Sequence, residues 1–249
     1  MKEWIYGRNS VYEVLRAGRR QTFRLSIAQG AEEKGRLADI LHLANARKVP
    51  VERVPRNRLD GINPGHQGVI LESSEYPYCS LPDILDLAEL RGDPPWLLIL
   101  DTLQDPQNLG TLLRTAEAVG VHGVVFPYRH TATVTPSVVN ASSGASEHLL
   151  IAQANLAQAI TTLKDAEVWV IGLDSNPQAK SLVEIDLKGP LALVVGNEGQ
   201  GMRPLVAKSC DFLLRLPIQG KVESLNASVA GSIALYLTWM SRNNPKVIP

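Results

Sequence analysis

Apolar runs alternate with helical segments in the second half of the chain, and this alternation limits the fold more than any other feature. Six runs have the composition of strands: Leu97–Asp101, Val121–Phe126, Glu147–Ile151, Val168–Gly172, Leu191–Val195 and Phe212–Leu216. Helical patterns lie between many of them, at 109–119, 155–165 and 203–209, and a last helix is predicted at 226–241. Nearly continuous apolar character is typical of strands buried on both faces of a parallel sheet. The pattern therefore predicts an α/β fold with a mainly parallel sheet, whose ligand site lies in the loops at the carboxyl ends of its strands.

The first 75 residues have the pattern of a smaller α/β domain. It predicts helices at 9–17 and 32–47 and strands at Arg24–Ala28, Val49–Val54 and Gly68–Leu71. Prolines then bracket a short helical stretch, Leu81–Leu90, within a segment that we interpret as a linker. The predicted organisation is a domain at 1–75, a linker at 76–95 and a second domain at 96–249.

Charge is divided unevenly along a chain of zero net charge. Residues 1–75 carry 13 Lys and Arg against 9 Asp and Glu, whereas residues 76–249 carry 12 against 16. A basic N-terminal part on an acidic body favours a polyanionic partner such as a nucleic acid. A solvated basic face explains the same cluster equally well.

Composition also argues against several classes of protein. Cys79 and Cys210 lie far apart and in no C-x-x-C pattern, and the five histidines show no metal-ligand spacing, so we expect no disulfide framework and no metal. No apolar run approaches the ~20 residues needed to cross a bilayer. We therefore expect a cytoplasmic protein without a membrane segment.

The loop after the first apolar run contains Asp105–Gly110, followed by a helix that carries Arg114 off its apolar face. Asn108 is predicted to cap that helix. This segment alone is equally consistent with a capped helix that carries a surface arginine.

Two further loops follow later strands. Gly196–Gly201 contains three glycines, which allow a backbone to approach a ligand closely, but its spacing is not G-x-G-x-x-G and no Gly-Lys-Ser/Thr follows. A nucleotide-binding dehydrogenase or NTPase is therefore disfavoured. Glu198 could bind an ammonium or hydroxyl group, or cap the turn.

In the third loop, Ser224, Asn226 and Ser228 precede an apolar helix, either as simple caps or as part of a site for an anionic group.

Taken together, the three loops resemble the SpoU-type RNA ribose 2′-O-methyltransferases of the SPOUT superfamily. The resemblance rests on D-P-Q-N-L-G-x-x-x-R-x-A-E-A-x-G (105–120), L-V-V-G-N-E-G-x-G (193–201) and L-P-I-x-G-x-V-x-S-L-N-A-S-V-A (216–230), with a weaker match at S-S-G-A (142–145). Y-G-R-N-S-V-x-E-V-L (6–15) and H-Q-G-V (66–69) resemble the RNA substrate-binding domain that precedes the catalytic domain in several members.

The resemblance implies a trefoil knot in the C-terminal domain, a homodimer formed through that domain, and S-adenosylmethionine as methyl donor. The layout is most similar to members that methylate a guanosine ribose in 23S rRNA. A tRNA substrate, an adenosine of rRNA in an antibiotic-resistance methylase, and a non-catalytic RNA-binding protein on the same fold remain alternatives.

The resemblance also implies roles for individual residues. The catalytic set is Asn108, Arg114, Glu198, Ser224 and Asn226, and the cofactor-binding set is Gly196, Leu216, Ile218 and Leu225. The family's proposed general base corresponds to Arg114, although a guanidinium normally stays protonated. A second interpretation makes Arg114 a fixed cation that holds an RNA phosphate and lowers the pKa of the 2′-hydroxyl.

Overall fold

The structure is a computed structural model that describes residues 2–176, 178–181 and 184–243. The chain divides into two compact units. The N-terminal unit consists of Met1–Pro77 and Thr133–His148, and the C-terminal unit consists of Tyr78–Ala132 and Leu149–Pro249.

A four-stranded sheet forms the centre of the N-terminal unit. Its elements follow in the order β1 Lys2–Tyr6, α1 Arg8–Ala17, β2 Thr22–Ala28, α2 Arg36–Ala46, β3 Val51–Val54, α3 Arg56–Asp60 and β4 Val69–Ser74. The strand order is β1-β4-β2-β3; β4 pairs antiparallel with β1 and β2, and β2 pairs parallel with β3. The predicted strands overlap β2, β3 and β4, and the two predicted helices overlap α1 and α2. The strand predicted from Val49 begins only at Val51, and the helix predicted from residue 32 begins only at Arg36. The sequence interpretation missed β1 and α3, which are too short to show a clear period.

The segment 133–148 belongs to the N-terminal unit because an ion pair anchors it there. It contains α6, Pro136–Ala141, and a 3-10 helix, Ala145–His148. Both side chains of the Arg20–Glu147 pair are fully buried, and the guanidinium meets the carboxylate in a bidentate contact with two N–O distances of 2.9 Å. A buried charge needs such a partner. The predicted strand at Glu147–Ile151 is therefore wrong in its first part, and the strand β7 spans Leu150–Gln153.

The C-terminal unit has a six-stranded sheet in which all paired strands are parallel. In chain order its remaining elements are α4 Leu81–Arg91, β5 Trp96–Leu100, α5 Pro106–Val119, β6 Gly123–Phe126, α7 Leu156–Asp165, β8 Trp169–Leu173, β9 Leu191–Val195, α8 Pro204–Ser209, β10 Phe212–Leu214 and α9 Ala227–Asn243. The strand order is β10-β8-β9-β5-β6-β7. The predicted parallel sheet and the predicted helix within α4 are confirmed.

The central strands β5 and β9 place the functional loops side by side. All five residues of each strand are buried, and Leu100 is in register with Val195, so the loops after the two strands leave the same edge of the sheet. A ligand site at this edge is the usual arrangement in parallel α/β sheets. None of the helices in the described ranges is long and apolar enough to cross a membrane.

Candidate active site

The helix α5 begins earlier than the sequence interpretation expects. Its cap is Asp105, whose side chain accepts a hydrogen bond from the Gln107 backbone N–H at 3.0 Å, and Pro106 occupies the first helical position. Proline suits that position because its missing N–H would have no partner there. The prediction that Asn108 caps the helix is therefore wrong. The Gln107 backbone N–H and the Asn108 side-chain amide both donate hydrogen bonds to the Asp105 carboxylate. These bonds lower the pKa of Asp105, and the bond from Gln107 has the larger effect.

Because Asn108 lies inside the first turn, its side chain is available for contacts across the site. Its amide donates to Oε1 of Glu198. Oε1 of Glu198 also accepts a hydrogen bond from the Asn226 amide at 2.9 Å. Three of the five predicted catalytic residues therefore meet at a single carboxylate, although they come from three separate loops.

Ser228 completes this cluster from the first turn of α9, although it was not among the predicted site residues. Its hydroxyl lies 2.8 Å from Oδ1 of Asn108 and 2.6 Å from Oδ1 of Asn226. The same Oδ1 of Asn226 accepts the Ser228 and Val229 backbone N–H groups at 2.9 and 3.3 Å, so Asn226 caps α9. Each amide thus points its oxygen toward Ser228 and its N–H₂ toward Glu198. We call Asn108, Glu198, Asn226 and Ser228 the amide cluster.

The glycine loop closes tightly on itself. The backbone of Asn197 exchanges two hydrogen bonds with that of Gly201, at 3.0 and 2.9 Å. A Cβ atom added to Gly196 would lie 2.3 Å from backbone atoms of Gly201 and Met202, and backbone cannot move aside as a flexible side chain can. Gly196 therefore tolerates no side chain, because the loop's own backbone fills that space; the predicted close approach of a ligand to this backbone stays a prediction.

The end of β5 holds both ends of the glycine loop, through residues that the sequence interpretation did not single out. The Asp101 side chain is fully buried, and its two oxygens accept hydrogen bonds from the backbone N–H and Nε of Arg203, both at 2.7 Å. At the other end, the Asn197 amide donates to the Thr102 carbonyl at 3.0 Å. An aspartate after an apolar run looks like an ordinary strand end, so the sequence carries no signal for this role.

A cavity of about 410 Å³ lies against the glycine loop. Its lining includes all four predicted cofactor-binding residues, Gly196, Leu216, Ile218 and Leu225, and two predicted catalytic residues, Glu198 and Ser224. This volume is in the range of about 300–1,000 Å³ typical of small-molecule sites.

The charge of the cavity lining indicates what the cavity can hold. Asp174, Glu198 and Glu223 contribute carboxylates, and none of the described lining residues is Lys or Arg. A polyphosphate would be repelled by this lining, whereas a cationic ligand would be attracted. Apolar walls, a loop with three glycines and nearby carboxylates suit S-adenosylmethionine, which carries a sulfonium, an ammonium and a flat adenine.

Arg114 lies six residues beyond Asn108 on α5, and its side chain is exposed, as its position off the apolar face predicts. It is not among the described residues that line the cavity. Of the nine predicted site residues, eight therefore belong to the cavity lining or the amide cluster, and Arg114 stands apart from both.

Comparison with known proteins agrees with this geometry. The model of the SpoU rRNA Methylase family matches residues 95–236, and the model named RNA 2′-O ribose methyltransferase substrate binding matches residues 4–79. The chain belongs to the SpoU rRNA methylase family. A relative from Bacillus subtilis, YacO, named as a member of the TrmH family of tRNA/rRNA methyltransferases, is 41% identical over 243 residues, which are 97% of this chain and 96% of YacO.

Solved structures of SpoU-type enzymes share the fold. An AdoMet-bound rRNA methyltransferase from Sinorhizobium meliloti is 27% identical with a TM-score of 0.76, over 95% of this chain and 86% of that one. The SpoU methyltransferase AviRb from Streptomyces viridochromogenes, in complex with the cofactor AdoMet, is 20% identical with a TM-score of 0.80, over 97% and 90%. This SpoU-family chain is an RNA methyltransferase, and both of these solved structures hold AdoMet as their ligand.

Proposed function

We propose that this SpoU-family enzyme methylates a ribose 2′-hydroxyl, and that its target is a guanosine in 23S rRNA. The observation that carries the proposal is the amide cluster. Hydrogen bonds connect all four of its residues, which come from three loops, and one of them, Glu198, also lines the acidic cavity. A protein that only bound RNA would have no need for such a cluster beside a cofactor-sized cavity, so the non-catalytic alternative is disfavoured.

The lining residues provide a site for the cofactor. When bound, S-adenosylmethionine supplies a methyl group already activated by a positively charged sulfonium. Gly196 would let the loop fold tightly on itself beside the ligand, and Leu216, Ile218 and Leu225 would form the apolar walls around the adenine. The cavity carboxylates would attract the positive charge of the cofactor.

The chain's own contribution to the reaction is alignment and charge. The amide cluster fixes the positions of Asn108 and Asn226 relative to Glu198, which keeps the site preorganised before RNA arrives. We assign to Ser224, on the cavity lining, the orientation of the ribose. We assign to Arg114 a fixed positive charge that holds an RNA phosphate and favours loss of the hydroxyl proton, because a guanidinium forms bidentate contacts with phosphate and keeps its own proton.

The proposed substrate follows from the family and from the N-terminal part of the chain. We propose that the N-terminal part, predicted as residues 1–75, binds RNA and that residues 96–249 carry out methyl transfer. Most of the predicted linker, 76–95, is helix α4, which packs within the C-terminal unit and so is not a free connection. The family models, which match 4–79 and 95–236, support this division. Relatives are named as tRNA/rRNA methyltransferases, so tRNA is the second candidate. Either substrate places the enzyme in the cytoplasm.

We further propose that the enzyme is a homodimer formed through α9. Four large side chains on this helix are exposed at intervals of three or four residues: Val229, Ile233, Tyr236 and Trp239, between 39% and 49%. Such spacing places them along one side of the helix, and an apolar strip of this kind is typical of an interaction surface. The trefoil knot that the resemblance implies stays a prediction.

The test is methyl transfer to candidate RNAs. Purified enzyme is incubated with radiolabelled S-adenosylmethionine and, separately, with unmodified transcripts of 23S rRNA and of tRNA. We expect label on 23S rRNA, and no label with an Asn108→Ala variant that still binds the cofactor. Label on tRNA alone would overturn the proposed substrate. No label on either RNA, despite cofactor binding, would overturn the proposal that free RNA is the substrate.

A further inference from the structure

The N-terminal unit contains a second concave surface, which the reaction does not use. It is an open cavity of about 480 Å³ between the start of α1, the turn after β2, the start of α3 and the turn before β4. Its chemically distinctive residues are Arg8, Gly30, Arg56, Gln67 and Gly68. We call this group the arginine pocket.

Hydrogen bonds hold the floor of the arginine pocket in one conformation. Gln67, at φ 51°, accepts the Arg8 backbone N–H on its side-chain oxygen at 3.0 Å and the Arg8 Nε on its carbonyl at 3.2 Å. Behind it, the fully buried His66 accepts the Gly68 N–H on Nδ1 at 2.8 Å, and its Nε2 lies 2.9 Å from the Asp60 carboxylate. The turn is therefore organised before any ligand binds, which reduces the entropy cost of binding.

The charged side chains that line the arginine pocket, Arg8 and Arg56, are both positive. Acidic side chains of the segments that flank the pocket residues have contacts of their own: Glu33 with Arg53, Glu32 with Lys34, and Asp60 with His66. Within the described part of the chain, no carboxylate forms an ion pair with Arg8 or Arg56, and none lines the pocket. Two guanidinium groups around a concavity without acids form a site for an anion, and their planar forks match phosphate.

The backbone of the pocket leaves room for a ligand to come close. Gly30 and Gly68 have φ values of 77° and 84°, and a Cβ atom added to Gly30 would meet nothing within 4 Å. The Gln67 side chain accepts from Arg8 through its oxygen only, so its two amide protons remain to bond the edge of a base. A volume of about 480 Å³ suits a single nucleotide and is too small for a duplex.

We propose that the arginine pocket binds one unpaired nucleotide of the RNA substrate, with its phosphate on Arg8 and Arg56 and its base edge on Gln67. Proteins that read RNA sequence do so mainly at unpaired nucleotides, whose base edges are accessible. The pocket thus selects the RNA molecule, whereas the amide cluster and its neighbouring cavity carry out methyl transfer. This inference rests on the proposed RNA methyltransferase function.

The experiment measures binding of the full chain to an unmodified 23S rRNA transcript by filter retention at several salt concentrations. The variants are Arg8→Ala and Arg56→Ala, with Arg16→Ala as the matched control, because Arg16 lies at the other end of α1 and its side chain is 61% exposed. We expect each pocket variant to weaken binding about tenfold and to reduce the slope of log K against log salt by about 0.7, the value for one lost phosphate contact on a single strand. The control should stay within about twofold of the wild type.

Equal binding by the pocket variants and Arg16→Ala would overturn the inference. Arg56→Ala is the cleaner of the two variants, since Arg56 makes no described hydrogen bond or ion pair whose loss could disturb the fold. Cofactor affinity, measured by calorimetry on every variant, should not change. A wild-type enzyme that binds RNA but transfers no methyl group would contradict the proposed function, whereas the binding comparison would still decide the role of the pocket.

Discussion

Glu198 is held by two amide groups, and a single substitution can reverse the direction of one of these hydrogen bonds. In Asn226→Asp, the atom that accepts from Ser228 is kept, but the N–H₂ that donates to Glu198 is replaced by an oxygen. Two carboxylate oxygens would then face each other at about the original 2.9 Å. We expect kcat/KM for methyl transfer to fall about 10- to 100-fold, in line with about 1.5–3 kcal/mol for a hydrogen bond to a charged group.

The matched control for this substitution is Asn155→Asp. Asn155 caps α7 by accepting backbone N–H groups on its Oδ1, and aspartate performs that role equally well. Steady-state kinetics should therefore show wild-type kcat/KM for the control. An Asn226→Asp enzyme as active as the control would show that the amide cluster is not needed for catalysis.

At the scale of an element, the glycine loop offers a direct comparison between two of its own residues. A Cβ atom at Gly196 would meet backbone at 2.3 Å, whereas the nearest atom to a Cβ at Gly199 is 3.9 Å away, and neither glycine has a positive φ. We expect Gly196→Ala to weaken S-adenosylmethionine binding more than about tenfold, because the loop must open to accommodate the methyl group. Gly199→Ala should weaken binding much less in isothermal titration calorimetry, because its Cβ would meet no backbone, and equal affinities of the two variants would contradict the proposed cofactor loop.

The contact between β5 and the start of β6 gives the fold a dependence on pH. His122 is 3% exposed and accepts the Trp96 backbone N–H on Nδ1 at 3.1 Å. Burial, assisted by the positive charge of Arg91, lowers the pKa of His122 below its ordinary value despite the opposing charge of Asp93. In the unfolded chain, His122 has the ordinary histidine pKa of about 6.5. As the pH falls through that pKa, the unfolded chain therefore binds more protons than the folded chain.

The stability that neutral His122 contributes is fully present above the unfolded pKa of about 6.5. It is lost as the pH falls from about 6.5 through the lower pKa of His122 in the folded chain. Urea unfolding should give a smaller free energy of unfolding at pH 5.5 than at pH 7.5. In His122→Asn the amide oxygen can still accept from Trp96 but does not titrate, so the difference between the two pH values should shrink. His42→Asn, at an exposed position of α2, should leave the difference unchanged, and a similar effect of both substitutions would contradict this explanation.

How far the sequence predicts these elements depends on their length and burial. The strands β5 and β9 were predictable because every residue in them is buried, which produces an uninterrupted apolar run. The strand β1 could not be predicted in this way, because only one of its five residues is fully buried and no apolar run results. The cap of α5 was misplaced because Asp105 and Asn108 have similar capping preferences, and only the following proline favours Asp105. The role of Asp101 depends on a contact 102 positions away in the chain, which no local pattern reveals.

For the whole molecule, the proposed dimer predicts that a single substitution in its interface lowers the particle mass in solution from that of a dimer to that of a monomer. Ile233→Glu places a charge on the apolar strip of α9, and burying an unpaired carboxylate in an interface is costly. We expect the wild type to be a dimer in light scattering and Ile233→Glu to be a monomer. Leu205→Glu, at a position 65% exposed on α8, should remain a dimer. A monomeric wild type would contradict the proposal.

The proposed acceptor atom is a ribose oxygen, and alkaline hydrolysis tests this assignment. The 23S rRNA transcript is treated with enzyme and S-adenosylmethionine, hydrolysed in alkali, and read at single-nucleotide resolution. Hydrolysis needs a free 2′-hydroxyl, so we predict one enzyme-dependent position, at a guanosine, that resists cleavage. Methyl label incorporated into RNA that is cleaved evenly at every position would place the methyl group on a base and contradict the account.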